Sequence, residues 1–264
     1  LATNALSGGT YYFYNTSTLN ASVANAVSGG EQNFNGTSTL NASVANALSA
    51  GTQNFYNNST LSVGASNALT KATKVSFNNG VSTGRGIGGT LALNGYSTVI
   101  GRINSVYLGS GRIVNNGTVD AVLTVDGTQL GDSLFSGVIS NGASSGTLGL
   151  RKAGSNALTL TGSNDYSGGT WIDDGVLYVS SNANLGAAAG ALTLNGGTLA
   201  ATGSFNTARD ITLTQASGVD VASNTALSLA GAITGNGELS KLGTGILTLS
   251  GINTYTGGTT VNSG

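Results

Sequence analysis

The sequence predicts an all-β fold, a right-handed parallel β-helix (a solenoid) of about 12 rungs with roughly 21–22 residues in each. Three observations predict it. Residues of the same type recur every 21 positions in the first third of the chain. Apolar residues alternate with Thr or Ser in short stretches, and glycine-rich turns separate these stretches. The chain also contains no Pro.

The 21-residue repeat is visible as four columns of similar residues. One column is late by a single residue at its last member, Phe77, which indicates an insertion in a turn. A unit of this length cannot bury its own apolar face, so neighbouring units must stack. The columns are Leu19, Leu40 and Leu61; Asn4, Asn25, Asn46 and Asn67; Leu6, Val27, Leu48 and Leu69; and Phe13, Phe34, Phe55 and Phe77.

Each unit contains about three short strands. The stretch 158–161 reads Leu-Thr-Leu-Thr, and alternation with a period of two is typical of strands with one buried face. Gly-Gly, Asn-Gly and Ser-Gly pairs supply the positive φ that tight turns need. The lack of Pro fits, because a stacked strand needs its backbone N–H groups. Stacking also predicts that Asn side chains in one column bond to one another.

Two other interpretations of the repeat are less consistent with the sequence. The Ala-rich stretches 21–28 and 42–49 could form a helical turn, but flanking Gly and Asn leave fewer than ten residues, and such short helices are marginal. Strand and turn are therefore predicted there. A leucine-rich repeat has a similar length, but its L-x-x-L-x-L-x-x-N spacing is not kept.

A second, longer repeat occupies the C-terminal half. Residues 150–175 align with 239–264 without gaps, so that Lys152 matches Lys241 and Tyr166 matches Tyr255 at an offset of 89 positions. We therefore expect one continuous β-helix over 1–264. Its three segments are the 21-residue repeats of 1–81, irregular rungs over 82–148, and the longer repeats of 149–264.

The longer repeat resembles a known family. The segment 237–261 reads G-x-L-x-K-x-G-x-G-x-L-T-L-x-G-x-N-x-Y-x-G-G-T-x-V, which is similar to the autotransporter-associated β-strand repeat. The copy at 148–172 departs little: Asn156 replaces the second of the closely spaced glycines, and Trp171 precedes Ile172. The resemblance implies a passenger segment, exported across the outer membrane to the bacterial surface or beyond. It also implies continuity with further repeats, and possibly a C-terminal β-barrel.

Composition limits the possible partners. Charged residues make up 7% of the chain and the net charge is −1, so no electrostatic field attracts nucleic acid or an anionic membrane. No apolar run approaches the length of a membrane span, so we expect no membrane insertion of this segment. Host-cell or matrix surfaces, or other copies of the chain, are the partners that the resemblance implies.

The residue types of the chain do not favour catalysis or metal binding. The chain has no His and no Cys, which removes the usual general base, nucleophile and zinc ligands. Polysaccharide cleavage would have to use Arg151-Lys152 near Asp173-Asp174, and the second pair is better explained as a turn between rungs. Three aspartates spaced by six could edge a calcium site, but solvated turns explain them better. No enzyme, cofactor, catalytic residue or metal ligand is predicted. The three aspartates are Asp120, Asp126 and Asp132.

Two repeated side chains and one aromatic cluster remain. Lys152 and Lys241 are expected to be solvated stems over a strand face. Tyr166 and Tyr255 are expected to cover a turn. In the cluster Tyr11–Tyr14, Phe13 belongs to the core column, so Tyr12 and Tyr14 face outward and are the candidate ligand contacts.

Three classes of function are compatible with these features. The first is a structural or adhesive stalk that mediates adhesion or autoaggregation. The second is a self-assembling extracellular fibre or matrix protein, because open strand edges can template stacking. An ice-ordering Thr face is third, and it lacks sustained T-x-T columns. We therefore predict an adhesive surface segment.

Overall fold

A computed structural model describes residues 1–78, 88–107 and 109–264. Over these ranges the chain forms 28 short strands and two 3-10 segments, with no α-helix, and all strand pairs are parallel. The strands form four sheets that wind along the solenoid. The 3-10 segments are Gly127–Gln129 and Asn182–Leu185.

Sheet 1 contains strands from all three predicted segments of the chain. Its twelve strands make about eleven turns of coil between the first and the last, so the predicted number of rungs is confirmed. In sheet order they are β1 (Thr10–Phe13), β3 (Val27–Phe34), β5 (Leu48–Tyr56), β7 (Thr73–Asn78), β10 (Arg102–Ser105), β13 (Ser133–Phe135), β16 (Ala157–Leu160), β18 (Val176–Val179), β20 (Thr198–Ala201), β23 (Ser217–Val221), β26 (Leu239–Leu242) and β28 (Thr259–Val261).

The other faces of the coil are formed by three shorter sheets. Sheet 2 comprises β2 (Thr18–Ala21), β4 (Thr39–Ala42), β6 (Thr60–Val63), β8 (Thr90–Ala92), β11 (Arg112–Val114) and β14 (Val138–Ser140). Sheet 3 comprises β9 (Thr98–Ile100), β12 (Ala121–Asp126), β15 (Leu148–Ala153), β17 (Thr170–Ile172), β19 (Leu192–Leu194), β22 (Ile211–Leu213) and β25 (Ile233–Gly235). Sheet 4 comprises β21 (Phe205–Thr207), β24 (Ala226–Leu229) and β27 (Ile246–Leu249).

The apolar columns of the sequence form the core. Leu19 lies against Leu40 and Leu40 against Leu61 in the register of sheet 2. In sheet 1 the ring of Phe34 stacks between those of Phe13 and Phe55, with centroids 4.6 Å and 5.1 Å apart. The column continues through Phe77 to Phe135, which sequence periodicity did not reveal. The predicted stacking of like residues is confirmed.

The Asn column is stacked as predicted, but for a different reason. Asn4, Asn25, Asn46 and Asn67 have φ between 54° and 57°, a left-handed conformation that Asn tolerates better than most residues. Each of the first three donates its backbone N–H to the carbonyl of the next, at 2.7–2.8 Å. The column is therefore held by main-chain bonds at a turn.

Side-chain amide ladders do form elsewhere. Asn41 Nδ2 donates to Asn20 Oδ1 at 2.8 Å on the surface of sheet 2. Inside the core, Gln53 Nε2 donates to Gln32 Oε1 at 2.6 Å. The bonding expected of the Asn column thus occurs at strand positions, where successive side chains point the same way.

A bend in β3 and β5 requires glycine. Gly30 has φ +73°, and a Cβ there would lie 2.6 Å from the carbonyl oxygen of Gly9. Gly51 repeats this arrangement one rung along, with φ +95° and a Cβ position 2.9 Å from the carbonyl oxygen of Gly30. The bend accompanies the register shifts between the two strands and turns the chain around a corner of the coil.

Candidate functional site

Tyr12 and Tyr14 lie on the outside of the coil at the end of β1. Their side chains are 61% and 56% exposed. The two rings are nearly parallel, with an interplanar angle of 9° and centroids 6.2 Å apart. Phe13 between them points into the core, so the alternation of the strand directs both tyrosines to solvent. The outward orientation is as predicted, and their contact with a ligand stays a prediction.

A third tyrosine lies close to this pair. Tyr56 ends β5, two rungs along the coil, and is partly buried. Burial raises the pKa of its hydroxyl, and the nearby Glu31, Tyr12 and Tyr107 raise it further. The strand register places Tyr12 in one row with Asn33 and Asn54, and Tyr56 lies two residues beyond Asn54, so these side chains share one side of the solenoid.

Amide and carboxylate groups lie on the same side of sheet 1 as these rings. Asn54 Nδ2 donates to Glu31 Oε1 at 2.7 Å and to Asn33 Oδ1 at 3.0 Å. Ring faces, hydroxyls, an amide and one carboxylate therefore occur together on the outer side of sheet 1. We name this surface the tyrosine–amide patch, and it consists of Tyr12, Tyr14, Glu31, Asn54 and Tyr56.

The prediction that Lys152 and Lys241 are solvated stems is wrong. Their side chains are 1% and 6% exposed. Each ammonium group donates to three backbone carbonyls, one of which belongs to the next rung. A sequence pattern does not show which carbonyls a neighbouring rung brings close, so this role could not be predicted. For Lys152 the acceptors are Ala153, Gly154 and Asp174 at 3.0, 2.6 and 3.0 Å; for Lys241 they are Leu242, Gly243 and Ser263 at 2.8, 2.7 and 3.1 Å.

Tyr166 does not cover a turn but fills the core, so that prediction is also wrong. Its side chain is 1% exposed, and its hydroxyl shares a hydrogen bond of 2.7 Å with Thr170 Oγ1. Burial raises its pKa to about 12. Tyr255 makes the matching hydrogen bond to Thr259 and packs against the core while partly exposed.

The three spaced aspartates do not converge on one site. Within the described residues no group of three or more acidic side chains could hold a metal ion. Each carboxylate instead accepts a bond from nearby backbone, which explains them as turn residues. Asp120 accepts from Thr147 N at 2.7 Å, Asp126 from Thr128 N at 3.2 Å, and Asp132 from Ala157 N at 2.9 Å.

Asp173-Asp174 lies in a turn, as predicted. Asp173 forms an ion pair of 3.2 Å with Arg151, whose guanidinium also lies 5.7 Å from the ring centroid of Trp171. Asp174 accepts from the N–H of Gly175 at 2.7 Å. With Lys152 buried against carbonyls, the charged groups on which polysaccharide cleavage would depend are engaged in holding the turn.

Arg209 is a buried residue that sequence reasoning missed. It is 3% exposed, and its guanidinium donates to carbonyls of Ala187, Gly190 and Gly186 at 2.5, 2.8 and 2.7 Å. It also donates to Asn182 Oδ1 at 2.9 Å. A lone Arg followed by Asp carries no pattern that distinguishes this position from a surface one.

A search of the described residues finds no helix long and apolar enough to cross a membrane.

Comparison with known proteins agrees with the resemblance seen in the sequence. The model of the passenger-associated-transport-repeat family matches residues 150–179 and 239–264. The chain is 35% identical over 182 residues to the adhesin BmaC autotransporter of Brucella suis biovar 1 (strain 1330). This alignment covers 67% of the chain but 5% of that relative, so the chain spans a small part of its length. No solved structure matches the chain.

Both matches confirm the predicted kinship with autotransporter passengers and, with it, the predicted export across the outer membrane to the cell surface.

Proposed function

We propose that this chain, an autotransporter passenger segment built from β-helix repeats, is a structural and adhesive rod at the bacterial surface. The observation that carries the proposal is the 35% identity to an autotransporter adhesin, which covers 67% of the chain. The stacked rungs supply a stiff rod, because each rung bonds to its neighbours along sheet 1. Host-cell or matrix surfaces are the proposed partners, and other copies of the chain are the second candidate.

The adhesive contact is proposed to involve the tyrosine–amide patch, with Tyr12 and Tyr14 as the contact residues. Exposed aromatic rings provide large contact area at low entropic cost. A single patch of this size binds weakly, and attachment through many rods multiplies that affinity. Because the chain has a net charge of −1, such contacts depend little on salt.

The rod is proposed to have no catalytic activity, cofactor or metal requirement, and no nucleic-acid partner. Three observations support this proposal. The relative is an adhesin, the chain has no His or Cys, and the acidic turns bind their own backbone. We also propose that 1–264 acts as one continuous rod whose segments are 1–81, 82–148 and 149–264. It is proposed to continue covalently into further repeats and possibly a C-terminal β-barrel.

Bead attachment tests the proposal. Beads coated densely or sparsely with the chain are allowed to settle on host cells or matrix, at low and high salt and with or without chelator. Dense beads should attach and sparse ones should not, with little effect of salt or chelator. The variant Tyr12→Ser/Tyr14→Ser should lose attachment. Tyr96→Ser, which removes an exposed ring outside the patch, is the matched control.

Three outcomes would contradict the proposal. Attachment that vanishes in chelator would show a metal requirement, and sugar products released from the matrix would show catalysis. Unchanged attachment of Tyr12→Ser/Tyr14→Ser would show that these tyrosines are not the contacts. Beads that cluster with one another but do not attach to cells or matrix would favour the self-assembling fibre.

A further inference from the structure

A groove lies on the outer face of sheet 2, away from the tyrosine–amide patch. It is open to solvent and has a volume of about 540 Å³, which is within the range of small-molecule sites. It crosses the neighbouring strands β8, β11 and β14. Its polar lining comprises Thr90, Arg112, Asn116, Ser140 and Asp165. We name it the sheet 2 groove.

Strand register brings the groove together from distant parts of the sequence. Thr90, Arg112 and Val138 occupy one register position of β8, β11 and β14, and Val114 pairs with Ser140 two positions further along. The residues between these positions belong to the core. Alternation therefore directs both rows outward, and the valines form an aliphatic floor beside the polar groups.

Three polar side chains of the groove, those of Arg112, Ser140 and Asp165, have no ion pair or hydrogen bond among the described residues. The side-chain oxygen of Ser140 is buried and has no hydrogen bond within the described residues, and the residue as a whole is 5% exposed. Arg112 and Asp165 are both exposed, and neither belongs to the ion pair found among the described residues. A buried hydroxyl without a partner is costly in a folded protein, and the Ser140 hydroxyl must turn towards the groove before a ligand can bond to it.

The edge of the sheet beside the groove is closed to an added strand. Ile139, in the middle of β14, donates its N–H to Asn164 Oδ1 at 2.9 Å. Its carbonyl accepts from the N–H of Asp165 at 3.0 Å. A peptide that binds by strand addition depends on such main-chain groups, and here they are already used. Affinity in the groove must therefore come from side chains.

We propose that the sheet 2 groove binds a neutral oligosaccharide. The guanidinium of Arg112 only donates hydrogen bonds, the carboxylate of Asp165 only accepts them, and Ser140 and Asn116 can do both. Sugar hydroxyls donate and accept, so adjacent hydroxyls can satisfy the opposite charges together. A strongly anionic ligand is disfavoured by Asp165, and a cationic one by Arg112. The aliphatic floor suits the C–H face of a sugar ring.

Saturation-transfer NMR with the whole chain tests this proposal. The probes are lactose, maltose, cellobiose and diacetylchitobiose, with a neutral tetrapeptide and inorganic phosphate as competing ligand classes. At least one sugar should show saturation transfer and titrate with a dissociation constant near the millimolar range, as expected for an open site. The tetrapeptide and phosphate should show none.

Matched variants locate the binding. Arg112→Gln/Asp165→Asn should weaken sugar binding by about tenfold or more, because it removes two charge-assisted hydrogen bonds. Arg151→Gln/Asp173→Asn makes the same chemical change outside the groove and should leave binding unchanged. Ser140→Ala removes a hydroxyl that has no hydrogen bond within the described residues, so it should weaken binding without lowering the melting temperature.

The outcomes separate this inference from the proposed function. No sugar signal with the folded wild-type chain, or equal binding by Arg112→Gln/Asp165→Asn, overturns the sheet 2 groove as a saccharide site. Saturation transfer to the tetrapeptide or to phosphate in place of sugar also overturns it. Sugar binding that persists while coated beads fail to attach counts against the adhesive function alone.

Discussion

Lys152 and Lys241 lie 89 positions apart, yet their ammonium groups bind equivalent sets of three backbone carbonyls. In each set one carbonyl lies 22 residues further along, in the next rung. The lysine of the longer repeat therefore fastens one rung to the next. This explains why the repeat carries a charged residue at a buried position, since its charge is spread over three acceptors.

Replacement of Lys152 should destabilise the chain. Lys152→Met keeps much of the side-chain volume but leaves three carbonyls without their donor, so the free energy of unfolding should fall by about 2–3 kcal/mol. Lys71→Met, at an exposed lysine, should change it by less than about 0.5 kcal/mol. Urea unfolding followed by circular dichroism gives both values. Equal effects would mean that the three bonds contribute nothing beyond a solvated lysine.

Tyr166 should make stability depend on pH in alkaline solution. Burial raises the pKa of its hydroxyl from 10.0 to about 12, so the folded state holds this proton more tightly than the unfolded state. The stability that the protonated hydroxyl of Tyr166 contributes is fully present below pH 10 and is lost as pH rises from 10 to 12. The melting temperature should fall over that window, and less steeply in Tyr166→Phe than in the wild type. Parallel curves for the two proteins would contradict the assignment.

Core and turn positions should differ sharply in their tolerance of substitution. Leu40 is fully buried between Leu19 and Leu61, so Leu40→Asp places an unpaired charge in the core and should prevent folding or cost more than about 4 kcal/mol. Asp173→Asn weakens a surface ion pair and should cost about 0–1 kcal/mol. Thermal unfolding ranks the two. The reverse order would mean that the inside and outside of the coil are exchanged.

The buried Gln pair should show strong coupling. Gln32→Leu alone leaves the Nε2 of Gln53 without its acceptor and should cost about 1–3 kcal/mol. Gln32→Leu/Gln53→Leu removes donor and acceptor together, and the next rungs already place Val75 and Ile103 in this column. The double variant should therefore be close to the wild type in stability or above it. Additive losses in a double-mutant cycle would show that the two amides act independently.

Much of the fold could be read from the sequence because its signals are local and repeated. Leu19, Leu40 and Leu61 recur at a fixed spacing, and residues so spaced must lie above one another once each unit makes one turn of the coil. Alternation along each strand then distinguishes side chains that point into the core from those that point to solvent. It correctly predicted that Phe13 points inward and Tyr12 outward. The stacking of the Asn column was predicted, but its bonding was not, because main-chain groups at positive φ hold it in place of the expected side-chain amides.

The tertiary structure alone decided the roles of residues whose partners lie in another rung. Lys152 and Arg209 occupy buried positions because backbone carbonyls, several of them from neighbouring rungs, converge on their charged groups. The sheet 2 groove likewise depends on the register of β8, β11 and β14 and on the turn that carries Asp165. A polar side chain is stable inside only where bonds replace those it had with water. For Arg209 these bonds come from residues 19 to 27 positions away, and for Lys152 one of the three comes from 22 positions away. Periodicity therefore determined which residues stack, while contacts between rungs determined which polar groups are buried and which remain free to bind.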